Sequence, residues 1–330
     1  MFSNRKVLGM ISRFFIANSA YSLLQYSLAF TDKIEETHFF CGPAICDNNL
    51  KHKTPFNLPP KGFEDEYIAS FLKKLESKLK DFSVPFYGNL VTPYAKEVSQ
   101  RYPFYALSDG ASDSHLVEKY LNNPDVLKCF TTKLGHEIEN SSNPKLVVHD
   151  LKKLWHEKNE KEKQAIAKIF NVNAMSLKML KQKSVILITQ PLSEDGIISE
   201  EEKIALYNSI LTNYKMDEVV IKPHPREKTN WANIFPGTPI ITRQVPAELL
   251  SMMVEPKNVC TFFSTAAFSL CPPEKVDIYS KDFSKLVFSH PGKNMGTVPY
   301  VDIEKVYGSR PFNWKRIPLS SFYRQQNEYS

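Results

Sequence analysis

Four consecutive apolar residues, Val185-Ile186-Leu187-Ile188, constrain the fold more than any other stretch. A strand with no polar residue to turn toward water must be covered on both faces, as in a parallel sheet packed between helices. The run from Val185 to Leu270 repeats the theme. Ser199 and Glu202 form a capping box in front of the helical segment EEEKIALYNSILTNY, and Val219-Val220-Ile221 is the next strand. Residues 237–241 read as a third strand, 246–253 as a short helix, 258–263 as a strand and 276–279 as another. Ser264 reads as the cap of a helix TAAFSL. This βαβα alternation implies a mostly parallel sheet with helices on both faces.

Three of these strands end in residues that carry chemistry: Glu194-Asp195-Gly196, then Lys222-Pro223-His224-Pro225-Arg226, then Ser264-Thr265. Ligands of open α/β sheets bind outside the carboxyl ends of the strands, so the three clusters share one rim. His224 stands between two prolines that stiffen the backbone, with Lys222 and Arg226 on either side. Two cations depress a histidine's pKa until an anion binds between them, an arrangement suited to a phosphate and to proton donation to it. A hydroxyl in the position of Ser264 is most often only a cap, but a helix start beside the PHPR strand end also fits a phosphate site. Glu194 or Asp195 supplies a carboxylate able to take a proton from an attacking hydroxyl; Asp195, next to Gly196, is the first choice. Either residue is otherwise a solvated turn charge.

The first half of the chain repeats the α/β pattern. Residues 13–17 (RFFIA) read as a strand, and Asn18-Ser19 cap the helix AYSLLQYSLAF. Residues 37–41 form a second strand, 42–62 a proline-containing loop, 65–80 an amphipathic helix and 93–102 another helix. The short strand FYAL, 104–107, ends in Ser108-Asp109-Gly110, read first as a turn and second as a carboxylate at the sheet rim. Residues 113–140 read as short helices broken at Asn122-Asn123-Pro124. HEKNEKEKQAIAKIF reads as an exposed, solvated helix, and the domain boundary falls in 156–183.

With 42% hydrophobic and 12% aromatic residues the chain buries a sizeable core. The formal net charge of +6 suits anionic ligands or a membrane surface, and no arginine-rich tract points to nucleic acid. The five cysteines include no CxxC pair, and reduced thiols in the cytoplasm are the simple reading. No run approaches a spanning helix, so any membrane contact is expected to be peripheral. Walker A, GxGxxG, HExxH and GxSxG motifs are absent.

TQPLSEDG, IKPHPRE and TFFSTAA, in that order, together with YALSDG, resemble the bacterial sialyltransferases of glycosyltransferase family 52, which include lipooligosaccharide sialyltransferases. The resemblance covers roughly residues 100–270. It implies a GT-B fold: two Rossmann-like domains facing a central cleft, residues 1–155 on the acceptor side and 184–330 binding the nucleotide sugar, joined by the linker 156–183. It implies CMP-sialic acid as donor, a terminal galactose of a surface glycan as acceptor, inversion at the anomeric centre, no metal and no other cofactor. Asp195 or Glu194 then corresponds to the base and His224 to the residue that assists the departing phosphate. Lys222, Pro223, Arg226, Phe263, Ser264 and Thr265 correspond to donor-binding positions, and Asp109, Ser108 and Asn18 to acceptor-side positions or an alternative base. Relatives often have two acids before the glycine where this chain has Ser108 and Asp109. The implied location is the bacterial cytoplasm, the basic excess would allow peripheral docking at the inner face of the inner membrane, and family relatives can be homodimers. The competing readings are a GT-B enzyme using another nucleotide sugar, such as a glucosyltransferase, and a non-catalytic nucleotide- or glycan-binding protein. The linkage position, 2,3 or 2,6, is open.

Overall fold

The computed structural model describes residues 11–79, 83–109, 114–132, 142–173, 178, 183–254, 256–262, 264, 266–279 and 313–314. The chain divides into two compact units, Met1–Asn171 and Val172–Ser330. Each is built on a parallel sheet, and the fold is α/β with two Rossmann-like units in succession.

Among the described residues the sheet of the first unit has seven parallel strands: β1 (Arg13–Ala17), β2 (Thr37–Cys41), β3 (Lys53–Pro55), β4 (Phe86–Gly88), β5 (Phe104–Leu107), β6 (Val126–Thr132) and β7 (Leu146–His149). Their order is β3-β2-β1-β4-β5-β6-β7, the doubly wound order with its switch point between β1 and β4. The two-residue period of a strand sorts the side chains of β1. Phe14 and Ile16 enter the core formed with Phe40, Phe86, Phe104, Leu75 and Val98. Phe15 points the other way and packs on Tyr26 and Phe39. Tyr26 lies on α1 (Ala20–Ala29), whose first turn is capped by the Ser19 hydroxyl accepting the N–H groups of Tyr21 and Ser22. On the opposite face are α2 (Glu64–Glu76) and α3 (Pro93–Ser99), the latter opened by Thr92 as cap and proline at the first helical position. At the switch point Gly88 lies so close to β1 that a Cβ there would stand 2.2 Å from the Ile16 carbonyl oxygen.

Two expectations for this unit fail. Residues 113–140 are not a succession of helices: after α4 (Ser114–Leu121) the chain turns at Asn123, whose side chain accepts the Asp125 N–H at 2.9 Å, and β6 follows inside the sheet. The apolar, β-branched and aromatic content of VLKCFTT favours a strand once that turn has ended the helix. Residues 133–141 lie outside the described residues. The lysine- and glutamate-rich segment is two helices, α5 (Leu151–Glu157) and α6 (Glu160–Ile169), broken where Asn159 forms a capping box with Glu162. It is not merely solvated. Ile166, Ala167 and Ile169 are buried, and the Ile169 carbonyl accepts the Asn49 N–H at 2.8 Å and the Asn48 side-chain amide at 3.2 Å. These helices therefore belong to the first unit.

The second unit contains β8 (Val185–Ile188), β9 (Val219–Lys222), β10 (Asn258–Thr261), β11 (Val276–Ile278) and β12 (Asn313–Trp314), parallel in the order β12-β11-β10-β8-β9. Every residue of β8 and β9 is buried, as the apolar run requires. Val185, Leu187, Val219 and Ile221 share a core with Leu206, Tyr207 and Ile210 of α7 (Glu200–Leu211) and with Trp231 of α8 (Trp231–Ile234). The capping box at Ser199 and Glu202 is present as expected. The strand expected at 237–241 reduces to one parallel bridge, Ile221 to Ile240, held by Ile221 N–H to Pro239 O at 2.9 Å and Ile241 N–H to Ile221 O at 2.8 Å. Pro239 has no N–H to extend the ladder. Counting that rung as a strand gives the second sheet the same doubly wound order as the first. α9 (Ala247–Met253) and α10 (Ala267–Leu270) complete the unit. Among the described residues no helix is long and apolar enough to cross a membrane.

Gly88→Ala tests the close approach of β4 to β1. A methyl group in place of the hydrogen forces the two strands apart, so the loss in urea denaturation should exceed the ~1 kcal/mol typical of losing a helix cap, as in Ser199→Ala. An unchanged midpoint would contradict the packing described.

Candidate functional site

The carboxyl edge of the second sheet gathers most of the predicted residues. Ile188 pairs with Thr261 on one side and with Lys222 on the other, so Thr189, Pro223 and Phe262 leave adjacent strands side by side. The strand order reverses between β8 and β10, which is where open α/β sheets bind ligands. Lys222, Pro223, His224 and Ser264 stand at this edge, and the turn carrying Glu194 and Asp195 is tied to it. Phe263 and Thr265 lie outside the described residues.

His224 is held by its own turn. Its carbonyl accepts the Glu227 N–H at 3.1 Å, and its Nδ1 accepts the Arg226 N–H at 3.2 Å. With Nδ1 an acceptor, the neutral ring carries its proton on Nε2. Burial, then the charges of Arg226 and Lys222, push the imidazole down to about 4. The depression expected from flanking cations is thus present, but burial is its larger cause. Lys222 is itself buried. Its ammonium donates to the carbonyls of Pro223 at 2.7 Å and Arg243 at 3.3 Å, and burial lowers it to about 8.

The two candidate bases have different surroundings. Asp195 is partly exposed and makes a two-pronged ion pair with Arg226, whose Nη2 lies 3.0 Å from Oδ2 while Nη1 meets Oδ1. Glu194 turns inward. Its Oε2 accepts the Lys203 ammonium at 2.9 Å and its Oε1 the Lys228 N–H at 2.5 Å. Burial raises its pKa, but these two donors prevail and hold the carboxyl at about 2. Glu194 is a weak base as placed.

Sequence reasoning missed two residues beneath this edge. Glu227 is fully buried, and its Oε2 accepts the His224 N–H at 2.7 Å and the Thr189 hydroxyl. Burial, opposed by those hydrogen bonds, pushes its carboxyl up to about 7. Lys203, on α7, is fully buried among Glu194, Glu200 and Glu227. Glu227 is the last letter of the PHPRE motif and was available to notice. Lys203 sits in an EEEK run that reads as a solvated helix start.

Ser264 does not cap a helix. α10 begins at Ala267 with Ala266 before it, and no side chain caps it. Ser264 is a buried turn residue whose N–H bonds the Thr261 hydroxyl at 3.2 Å and whose carbonyl accepts the Ala267 N–H at 3.2 Å. It contributes a hydroxyl to the edge, not a helix terminus.

The first unit has a polar edge of its own. The Ser19 hydroxyl donates to Asp109, joining the ends of β1 and β5 across ninety positions. Burial raises the Asp109 carboxyl, opposed by that hydrogen bond. Ser108 is buried and bonds the Thr131 hydroxyl at 3.1 Å, and the hydroxyls of Tyr21 and Thr132 lie 2.5 Å apart. Asn18 holds the Ala44 N–H at 2.9 Å, and Gly42 packs so closely that a Cβ would stand 2.3 Å from the Asn18 Oδ1. Asn18 thus shapes the loop after β2, while Ser19, absent from the predicted set, touches Asp109.

Residues 118–283 match the pattern of glycosyltransferase family 52. An uncharacterized protein of Haemophilus influenzae is 34% identical over 226 residues, covering 64% of this chain and 72% of that protein. Among solved structures, the UDP-GlcNAc 2-epimerase from Methanocaldococcus jannaschii aligns over 83% of this chain and 86% of its own at 13% identity and a TM-score of 0.44. Another UDP-N-acetylglucosamine 2-epimerase aligns over 84% and 81% at 11% identity and 0.41. The family match spans half of the chain and identifies a glycosyltransferase: built of two Rossmann-like units in succession, the chain belongs to glycosyltransferase family 52.

Proposed function

We propose that this glycosyltransferase moves sialic acid from CMP-sialic acid to a terminal galactose of a bacterial surface glycan, lipooligosaccharide or capsule, with inversion and without a metal. The observation that carries the reading is His224, a neutral imidazole held by the Arg226 N–H so that it offers Nε2–H beside two cations at a sheet's carboxyl edge. A phosphate is an anion that suits such a site once Arg226, paired with Asp195 in this structure, turns toward it. Its arrival raises the affinity of the ring for a proton: a solvent proton taken up at Nδ1 in place of the Arg226 N–H lets the Nε2 proton pass to the phosphate oxygen as the bond from CMP to sialic acid breaks.

The base in this scheme is Asp195. It takes the proton of the acceptor hydroxyl, the freed oxygen bonds the anomeric carbon, and the CMP phosphate leaves from the opposite face in a single displacement. The transition state is oxocarbenium-like, and the hydroxyl of Ser264 and the Nε2–H of His224 face the growing negative charge. Glu194, at about 2 and bonded through both oxygens, is the weaker choice of base. Arg226 must release Asp195 or turn toward the donor, and its exposed side chain permits both. Lys222 supports the turn from beneath and adds charge. Asp109, with its raised carboxyl, is the alternative base, and Ser108 and Asn18 frame that acceptor-side edge. Peripheral docking at the inner face of the bacterial inner membrane and a homodimer belong to the same proposal.

CMP release from CMP-sialic acid, with and without lactose and in EDTA, tests donor, acceptor class and metal independence together. Release stimulated by lactose and insensitive to EDTA is expected. Turnover of a UDP-sugar with none of CMP-sialic acid would replace the donor. His224→Ala and Asp195→Ala should each lower kcat by about 10²–10⁴-fold, with Glu194→Gln losing less. In the free protein the His224 imidazole should titrate near 4, and CMP should raise that midpoint by about one unit or more. A midpoint that ignores CMP would separate His224 from the phosphate.

A further inference from the structure

The Lys203 ammonium is the meeting point of the two turns that carry the proposed acid and base. Its side chain is fully buried, 2.9 Å from Glu194 Oε2, 2.9 Å from Glu200 Oε2 and 3.8 Å from Glu227 Oε1. Glu194 immediately precedes Asp195, and its second oxygen reaches across to the Lys228 N–H. Glu227 closes the other turn, accepting the His224 N–H and the Thr189 hydroxyl on Oε2 and returning its own N–H to the His224 carbonyl. Its Oε1 accepts no hydrogen bond among the described residues and has the Lys203 ammonium as its counter-charge.

A buried ammonium among three carboxylates is an expensive way to stabilise a core, since an apolar substitute of similar volume often serves as well. What it supplies is geometry. A second tie spans the same turns, the pair between Arg226 and Asp195, but those side chains are 61% and 33% exposed. An exposed pair is weakened by water and salt, whereas a buried one is screened far less. We infer that Lys203 is a positioning residue whose ammonium, through Glu194 on one side and Glu227 on the other, sets the spacing between the turn bearing Asp195 and the turn bearing His224. The inference rests on the reading of those two residues as base and acid given above. Without the ammonium, Glu227 loses its counter-charge, the His224 turn loses its anchor, and the Arg226 N–H no longer fixes one tautomer of the ring.

The test compares the wild type with Lys203→Met. Because Lys203→Met leaves three carboxylates around an apolar side chain, Lys203→Met/Glu227→Gln, which removes one buried charge, serves as a second variant that folds more readily. Nitrogen-15 NMR of the imidazole at pH 7, with His224 assigned through His224→Gln, should show the Nε2–H tautomer in the wild type and a mixture of tautomers in both variants. Turnover by folded protein should fall roughly 10- to 100-fold in kcat, the scale of a small misplacement of reacting groups. The donor KM should move by less than about threefold. A folded variant that keeps the wild-type tautomer and a kcat within about twofold of wild type would overturn the inference. Absence of CMP-sialic acid turnover by the wild type would instead remove the donor assignment, and the tautomer comparison would still decide the role of Lys203.

Discussion

Parallel pairing is the constraint on which the rest of this structure depends. A parallel strand reaches its neighbour only by a crossover, and helices in the crossovers cover both faces of the sheet. The loops at the carboxyl edge are then where polar side chains gather for binding. Both units obey this. Ser19 and Asp109 follow β1 and β5 in the first, and Thr189, His224 and Ser264 follow β8, β9 and β10 in the second. The cost is that polar groups just beneath the edge are cut off from water and must satisfy one another. Lys203, Glu194, Glu200 and Glu227 do so as a set, and removing one partner from such a set typically costs about 3–5 kcal/mol.

Environment separates residues of the same chemical type within one site. Glu194 and Glu227 both face the Lys203 ammonium, yet hydrogen bonds to Lys228 N–H and Lys203 hold the first at about 2, while burial lifts the second to about 7. Divergence of this kind lets one small region contain a fixed anion and a carboxyl whose charge changes near neutrality. The cations divide in the same way. Lys222 is buried against carbonyls, whereas Arg226 reaches into solvent. The edge therefore carries buried positive charge below and exposed positive charge above.

The sequence made the architecture readable where periodicity was strong. VILI and VVI could only be buried parallel strands, and the Ser199–Glu202 box marked a helix start in the expected place. It misled where local chemistry was ambiguous. VLKCFTT carries two exposed residues that mask a strand, and QAIAKI hides its buried face among lysines and glutamates. The edge residues His224, Asp195 and Arg226 were legible because they follow strands. Lys203 was not, since a lysine in a charged helical turn gives no local sign that tertiary packing will bury it. Nor did the hydroxyl at Ser264 reveal that its helix would start later, at Ala267.

The single rung at Ile240 and the three-residue strand Lys53–Pro55 have a consequence for the protein in a crowded cell. An outermost strand with unpaired N–H groups is a template on which another chain can polymerise. Here β3 ends in Pro55 after an exposed Lys53, and beyond β9 the chain passes through Pro236, Gly237 and Pro239 around its one rung. Proline lacks the donor, lysine brings repulsion, and both segments are too short to seed a ladder. At these two borders, the sheets that hold the polar edges in place are closed to edge-to-edge aggregation.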